Sequence, residues 1–593
     1  MTEIKPWSIS TTVRNPHRMR GFLSAIADLE GEVWNKEAQI KFQIELIRRK
    51  LYGAGSSQFS NGLSPQHQEI LSSADDLTTQ DAQRIFDEKQ YEDPPMRGRT
   101  SFKPLEKFGF VCLGDRKLQI TASGKEFLME DVDFSEILLR SLVKWQLPNP
   151  IEARSFPEEY GYNIKPFVGT LHLIKRVNAL CVAERQKPKG ISFFEFGLFA
   201  ITLIDHQAIE QTACDIMEFR KELSNRPKNK QDAYLHAAPQ TWRPNFVAKN
   251  MRDYTDNTVR YFRTTGLIRV RGSGYYIDIE PLRQVETDSL LDWDSGKPDA
   301  NIDYGATIAN PQLPELPWET PTQMTQSALT VINHLNKSGQ VTDLPKGFEK
   351  MTLAKQKMTL EKLRKQMREW QKEKAKNAAK DPKEIQNIIK NLRALMDKKT
   401  RIPNKPTYLE HWTALALMAI NDAITIHPNY PLGDDGMPTN TAPAGKADIE
   451  CHYKNFKMVC EVTLQRDKLQ WVNEGQPVLR HTHEFAQAHP SAEIFCLFVA
   501  PQIHIDTANI FWVHIRSGYE SQEMRVVPIT ISDLCDILEF CAQCYSHNKV
   551  ISYKKWKELL ICAVGAAENH DSASQWVASM SSLIEKWKGQ ITA

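Results

Sequence analysis

The 593-residue sequence has no excess of charge of either sign. Its 75 lysines and arginines meet 73 aspartates and glutamates, for a formal net charge of +2. No global basic field therefore draws nucleic acid, and any DNA affinity must come from local patches. No apolar run approaches the roughly 18 residues of a membrane span, and Met1 to Ser8 contain no apolar signal core. The ten cysteines are scattered, without disulfide-framework spacing. These absences predict a cytoplasmic protein with reduced thiols and no membrane association. There is also no dominant low-complexity tract. A composition of 41% hydrophobic and 25% charged residues is globular, and the length predicts two to four domains.

The zinc-site pattern is missing as well. Cys541 and Cys544 form a CxxC, with Cys535 before and His547 after, but no second ligand pair stands at a set distance. The apolar spacing around them is helical, which reads as core packing.

The positive features begin near residues 75 to 130. Leu77 to Glu88 has a helical pattern. A second short helix, Thr100 to Phe108, has a Thr cap and ends at Gly109. Phe110 to Leu113 and Lys117 to Thr121 then flank Gly114-Asp115, a hairpin signal. Two helices followed by a hairpin is the plan of a winged helix, whose second helix enters the major groove. The plan recurs within 241–280: a helix over Met251 to Arg263, a stop at Gly266, and strands over Leu267 to Arg271 and Tyr275 to Ile279 flanking Gly272 to Gly274. Arg97, Arg99 and Lys103 in the first unit, and Arg260 and Arg263 among aromatics in the second, suit phosphate and base contacts. The plainer reading is a solvated basic face.

Periodicity fades between Asp292 and Thr322, where Pro311, Pro314, Pro317 and Pro321 cluster. This predicts a linker. The expected division is a DNA-recognition domain over 1–290, a linker over 291–322 and a catalytic domain over 323–593. Residues 350–401 are Lys-rich and helical, broken near Asp381-Pro382, and read as a solvated helical hairpin. Leu409 to Ile426 is an amphipathic helix. Strands follow at Lys446 to Cys451, Phe456 to Leu464 and Ile494 to Ala500, with a helix over Pro477 to Ala488 between the last two and helices over Ile531 to Ser546 and Ser552 to Ala567. That order predicts an α/β domain with a mixed sheet.

Within it, Asp448 ends one strand and Glu461 lies midway along the next, joined by a polar stretch of hairpin-turn length. Asp448 and Glu450 share a strand face, as do Glu461 and Thr463. Glu410 can approach from the preceding helix. Glu474 and His481 are seven residues apart, about two helical turns. Glu410, Asp448 and Glu461 would supply hard oxygen ligands for Mg²⁺, and Glu474 would allow a second ion. His481 suits orienting or deprotonating water. The alternative is acidic residues on exposed strand faces.

The chain resembles the AlwI-like type IIS restriction endonucleases, a group that includes strand-specific nicking enzymes. Matching stretches are Phe108 to Val111 with Ile120 to Lys125, Leu142 to Pro148, Thr258 to Leu267, Cys460 to Thr463, Pro477 to His481 and Leu497 to Pro501. The resemblance implies a multidomain α+β protein of prokaryotic type, with an N-terminal winged-helix-type recognition half and a C-terminal PD-(D/E)xK-type nuclease using Mg²⁺. It places metal-site carboxylates at Asp448 and Glu461, auxiliary acids at Glu410 and Glu474, and the site histidine at His481. It implies a cut at a fixed short distance from an asymmetric duplex site. Two positions depart from the wider nuclease pattern: Ala447 precedes Asp448, and Thr463 stands where a lysine is usual. His481, Lys446 and Lys468 are the candidates for the missing group, His481 first.

One catalytic centre per chain implies that double-strand cutting needs a transient homodimer or a second nuclease subunit. Without either, the enzyme nicks. Two other readings stand beside this one: a catalytically inactive DNA-binding protein, and an interaction protein built on charged helices.

Overall fold

The computed structural model describes residues 3–592 apart from 54–58, 60–61, 73–75, 130–131, 273–274, 398–399, 401, 421 and 444. It is a mixed α+β structure of two compact units. One comprises residues 1–51, 90–368 and 433–435, and the other 52–89, 369–432 and 436–593. No described helix is long and apolar enough to cross a membrane.

In the first unit the helix Met96–Lys107 leads into an antiparallel hairpin of β1 (Val111–Gly114) and β2 (Lys117–Ile120). The turn falls on Asp115 and Arg116, with φ of 51° and 62°, one residue beyond Gly114-Asp115. Two positive φ values make the type I′ turn that matches strand twist. Thr100 is not a cap; it lies inside the helix, whose N-cap is Pro95. The companion helix of the expected first module, Thr79–Glu88, belongs to the other unit.

The helix Met251–Thr264 ends before Gly266 at φ 76°. A three-stranded sheet pairs β3 (Ile191–Ser192), β5 (Tyr276–Ile279) and β4 (Ile268–Arg271) in that order. Ser273 and Gly274 of the expected turn lie outside the described residues. The two helix-hairpin segments share one aromatic core: Phe108 stacks on Tyr261 at 5.4 Å, and Trp7 meets Trp145 and Phe262 at 5.8 and 6.1 Å.

The expected linker is packed into this unit. It carries the helix Tyr304–Ala309, and Leu316 and Trp318 are buried. Lys144 donates to Ile308 O and Asn310 O, and Arg140 donates to Pro314 O and pairs with Glu319. Prolines leave carbonyls without strand or helix partners, and here buried cations take them up. Of the crossings between the two units along the chain, the one nearest this stretch falls at Arg368 and Glu369.

The second unit is built on a five-stranded mixed sheet in the order β10-β9-β8-β7-β6: β6 (Thr425–Pro428), β7 (Ile449–His452), β8 (Lys457–Val462), β9 (Ile494–Ala500) and β10 (Val526–Thr530). β6, β7 and β8 pair antiparallel; β8, β9 and β10 pair parallel. β9 is buried at every position, as a central parallel strand requires. The helix after Lys405 stops at Ile420, so Thr425 and Ile426 form an edge strand rather than the helix end that apolar spacing predicts. The charged stretch is two helices, Leu353–Ala378 and Pro382–Met396, broken at Asp381 as expected. The second is not a solvated face. Ile385, Ile388, Ile389 and Leu392 are buried, and the helix packs along Ile531–Ser546. Cys535, Cys541 and Cys544 sit in the core on that partner helix, and burial raises the Cys541 thiol.

Candidate active site

The β7–β8 ladder pairs Ile449 with Cys460, so one step further sets Asp448 directly opposite Glu461. Side chains alternate across a sheet, and these two therefore point to one face at cross-strand contact distance. The sequence places the pair on adjacent strands; the register makes them neighbours. Val462 N donates to Asp448 Oδ2 at 2.8 Å, and Asn429 N donates to the Asp448 carbonyl at 3.0 Å, which fixes the strand end.

Burial first, and the charge of Glu461 next, push the Asp448 carboxyl well above the carboxylate range; Glu461 rises from burial and then from Glu474. Glu410, on the helix Lys405–Ile420, is buried and accepts from Ala442 N at 2.8 Å. Burial and Asp448 push it up to about 10. Burial raises Glu474 to about 7, partly opposed by Thr463, the residue at the usual lysine position.

His481 shares the helix Lys468–Gln487 with Glu474. Its Nδ1 lies 2.8 Å from Glu461 Oε1, and its Nε2 is 3.4 Å from Arg480 Nη2. A guanidinium only donates, so Nε2 is the accepting nitrogen and Nδ1–H donates to Glu461. The imidazole is neutral. Burial, followed by the Arg480 charge, lowers its pKa.

All five sequence-predicted site residues thus enter one electrostatically linked cluster. Lys446 and Lys468 do not join it in this way. Both are exposed, and Lys468 lies over Trp471 at 6.0 Å. Sequence reasoning missed Arg480, although it sits inside the Pro477-to-His481 stretch. It also missed Asn429, whose Nδ2 bridges Ala447 O and Glu450 Oε1 at 2.7 and 3.0 Å.

The expected DNA-contact residues are scattered. Arg97, Arg99 and Lys103 are exposed; Arg99 pairs with Asp93 and Lys103 with Glu106. Arg260 is half-buried against Asp256 at 2.8 Å. Arg263 is a correction: it is 7% exposed and holds Asp435 at 3.0 Å, so its guanidinium is committed within the protein.

Four carboxylates in one buried cluster, all oxygen donors, suit a hard divalent cation. Among the described residues, no three acidic, histidine or cysteine side chains already stand at joint metal-binding geometry. A cation between Asp448 and Glu461 would offset the negative charge that burial makes costly there. The pH dependence follows. In metal-free solution Glu474 binds its proton up to about pH 7 when folded, against an ordinary value of 4.5. Stability should therefore fall as pH rises through that window. Melting temperatures in EDTA check this: a decline from pH 5 to pH 8 is expected, flattened in Glu474→Gln, and a rise over that range contradicts it.

A buried acidic cluster at the end of an antiparallel strand pair, rimmed by histidine and arginine, is the equipment of a phosphodiester hydrolase. The chain belongs to the AlwI restriction endonuclease family, whose model matches residues 106–537. It is a site-specific deoxyribonuclease of the type II restriction class acting on DNA. No curated protein matches it. Among solved structures it resembles the small subunit (R.BspD6I2) of the heterodimeric restriction endonuclease R.BspD6I, at 23% identity and a TM-score of 0.27, covering 35% of this chain and 97% of that one. It also resembles restriction endonuclease FokI, at 9% identity and a TM-score of 0.20, covering 87% of this chain and 96% of that one. At these scores neither likeness bears on mechanism.

Proposed function

We propose that the enzyme is a type IIS restriction endonuclease. It recognises a short asymmetric duplex site through its N-terminal half and hydrolyses phosphodiester bonds a short distance outside that site. The observation that carries this reading is the Asp448–Glu461 cross-strand pair with Glu410 and Glu474 in its field. Glu410, Asp448 and Glu461 would hold Mg²⁺, and Glu474 would complete a set for a second ion. Bound there, the cation would lower the pKa of water and offset charge on the phosphate. Glu461 fixes the ring of His481 through Nδ1–H, which leaves Nε2 as the acceptor for a water proton. Thr463 favours the charged form of Glu474 but supplies no cation.

The exposed Arg97, Arg99 and Lys103 would contact DNA phosphates from the helix-hairpin module, which we read as a winged helix. Each alanine replacement there should weaken binding of all sequences alike and reduce the salt slope by about one. Salt-dependent binding isotherms check this, and unchanged slopes in all three variants remove that face from the interface.

One such centre cuts one strand. Double-strand cleavage therefore takes a second copy of this chain or a separate nuclease subunit, and without either the product is a nick. Sequencing the ends of defined DNA digested with Mg²⁺ tests the whole reading. Ends at one offset beside a non-palindromic sequence are expected, in one strand or both. Ends within a palindromic site contradict it.

A further inference from the structure

The acidic cluster has no lysine where this kind of site usually carries one, because Thr463 occupies that position. Four carboxylates alone do not bind an anionic phosphate well. A cation does reach the cluster from elsewhere. Arg480 extends from the helix Lys468–Gln487 so that Nη2 comes within 3.4 Å of His481 Nε2, and His481 Nδ1 is 2.8 Å from Glu461 Oε1. The line from carboxylate through imidazole to guanidinium is continuous. Glu461 and His481 both feel the arginine's charge.

Arg480 also faces Glu484 one turn further along the same helix. That contact is 3.7 Å long, beyond hydrogen-bond reach, and the Glu484 side chain is 47% exposed. The Arg480 side chain is 18% exposed, so the guanidinium sits between core and solvent.

We propose that Arg480 is a further catalytic residue, whose guanidinium leaves His481 Nε2 to grip a non-bridging oxygen of the scissile phosphate and stabilise the transition-state charge. This rests on the site reading above. In the step it assists, a water oxygen bonds to phosphorus while the bond from phosphorus to one deoxyribose oxygen breaks. The water gives a proton to His481 Nε2, which the arginine has vacated, and the departing oxygen takes one from solvent. A planar fork of N–H donors fits the phosphate, and its charge is fixed at any working pH. Arg480 thereby supplies from a helix what a strand lysine supplies elsewhere.

The test uses the full chain and a plasmid that the wild type cuts. Arg480→Gln should slow single-turnover cleavage about 10²-fold or more, while plasmid binding stays within about threefold. Arg480→Lys should recover about tenfold over the glutamine variant, since charge returns without the fork. Glu484→Gln, which removes only the surface contact, should cut like wild type. The inference is overturned if Arg480→Gln cuts at the wild-type rate. It is also overturned if Glu484→Gln shares the defect, if the loss lies in binding, or if the glutamine and lysine variants fail alike with lowered melting temperatures. Asp448→Ala separates the two levels. Normal cutting by that variant rejects the site itself. A dead Asp448→Ala beside an active Arg480→Gln rejects the arginine alone.

Discussion

Asp448→Ala is expected to leave DNA cleavage about 10³-fold below wild type, with DNA binding within about twofold. Asp448 is the residue through which the site is wired. It faces Glu461 across the ladder, accepts from Val462 N, and raises Glu410 and Glu474 by its charge. Removing it takes away a proposed metal ligand and the fixed point of the strand end, while the exposed basic residues of the other unit are untouched. A second signature accompanies the loss. Folding raises the Asp448 carboxyl far above its ordinary value, which costs stability at high pH, so Asp448→Ala should melt higher than wild type in EDTA at pH 8. Plasmid cleavage and thermal unfolding measure the two effects. Normal cutting by this variant would place the catalytic centre elsewhere.

Asp434→Ala is expected to lower unfolding stability by about 3–5 kcal/mol, the scale of a buried ion pair broken from one side. The Asp434 side chain is 4% exposed and accepts from Arg283 Nε and Arg368 Nη1, each at 2.7 Å. Burial alone would raise its pKa, but Arg283, Arg364 and Arg368 outweigh it and hold the carboxyl well below the usual range. Arg364 also pairs with Glu286, and Arg263 with Asp435, so the aspartates sit inside a network of arginines. Truncating Asp434 leaves Arg283 buried without its main counter-charge. The sign with pH is the reverse of the catalytic cluster. A depressed carboxylate stabilises above its unfolded pKa near 3.9, and that stabilisation is lost as pH falls through the folded value. Denaturant unfolding at pH 7 reads the loss, and a change below about 1 kcal/mol would contradict the network's role.

The carboxylate cluster was legible in the sequence because a strand pair with a short polar connection is a local pattern. Ile449–His452 and Lys457–Val462 were readable as neighbouring strands, and their pairing register then sets Asp448 opposite Glu461. Ile494–Ala500 was readable as an unbroken apolar run, and Ile531–Ser546 from its helical apolar spacing. What failed was non-local. Arg263 reads as a basic residue among aromatics, and nothing near it in sequence announces Asp435. The prolines between Asp292 and Thr322 suggest a linker until Arg140 and Lys144 reach their carbonyls. Thr425–Pro428 looks like the end of a helix because an edge strand next to an amphipathic helix shares its apolar residues. The Lys-rich 350–401 stretch hid a buried face on Pro382–Met396, since charge counts do not show which side of a helix carries them.

The most direct measurement of the central claim is anomalous diffraction from a Mn²⁺-soaked crystal of the DNA complex. Manganese density between Asp448 and Glu461, with oxygen ligands at about 2.2 Å and Glu410 or Glu474 completing the shell, is the predicted result. Cleavage-competent crystals with no metal between the two carboxyls would contradict it.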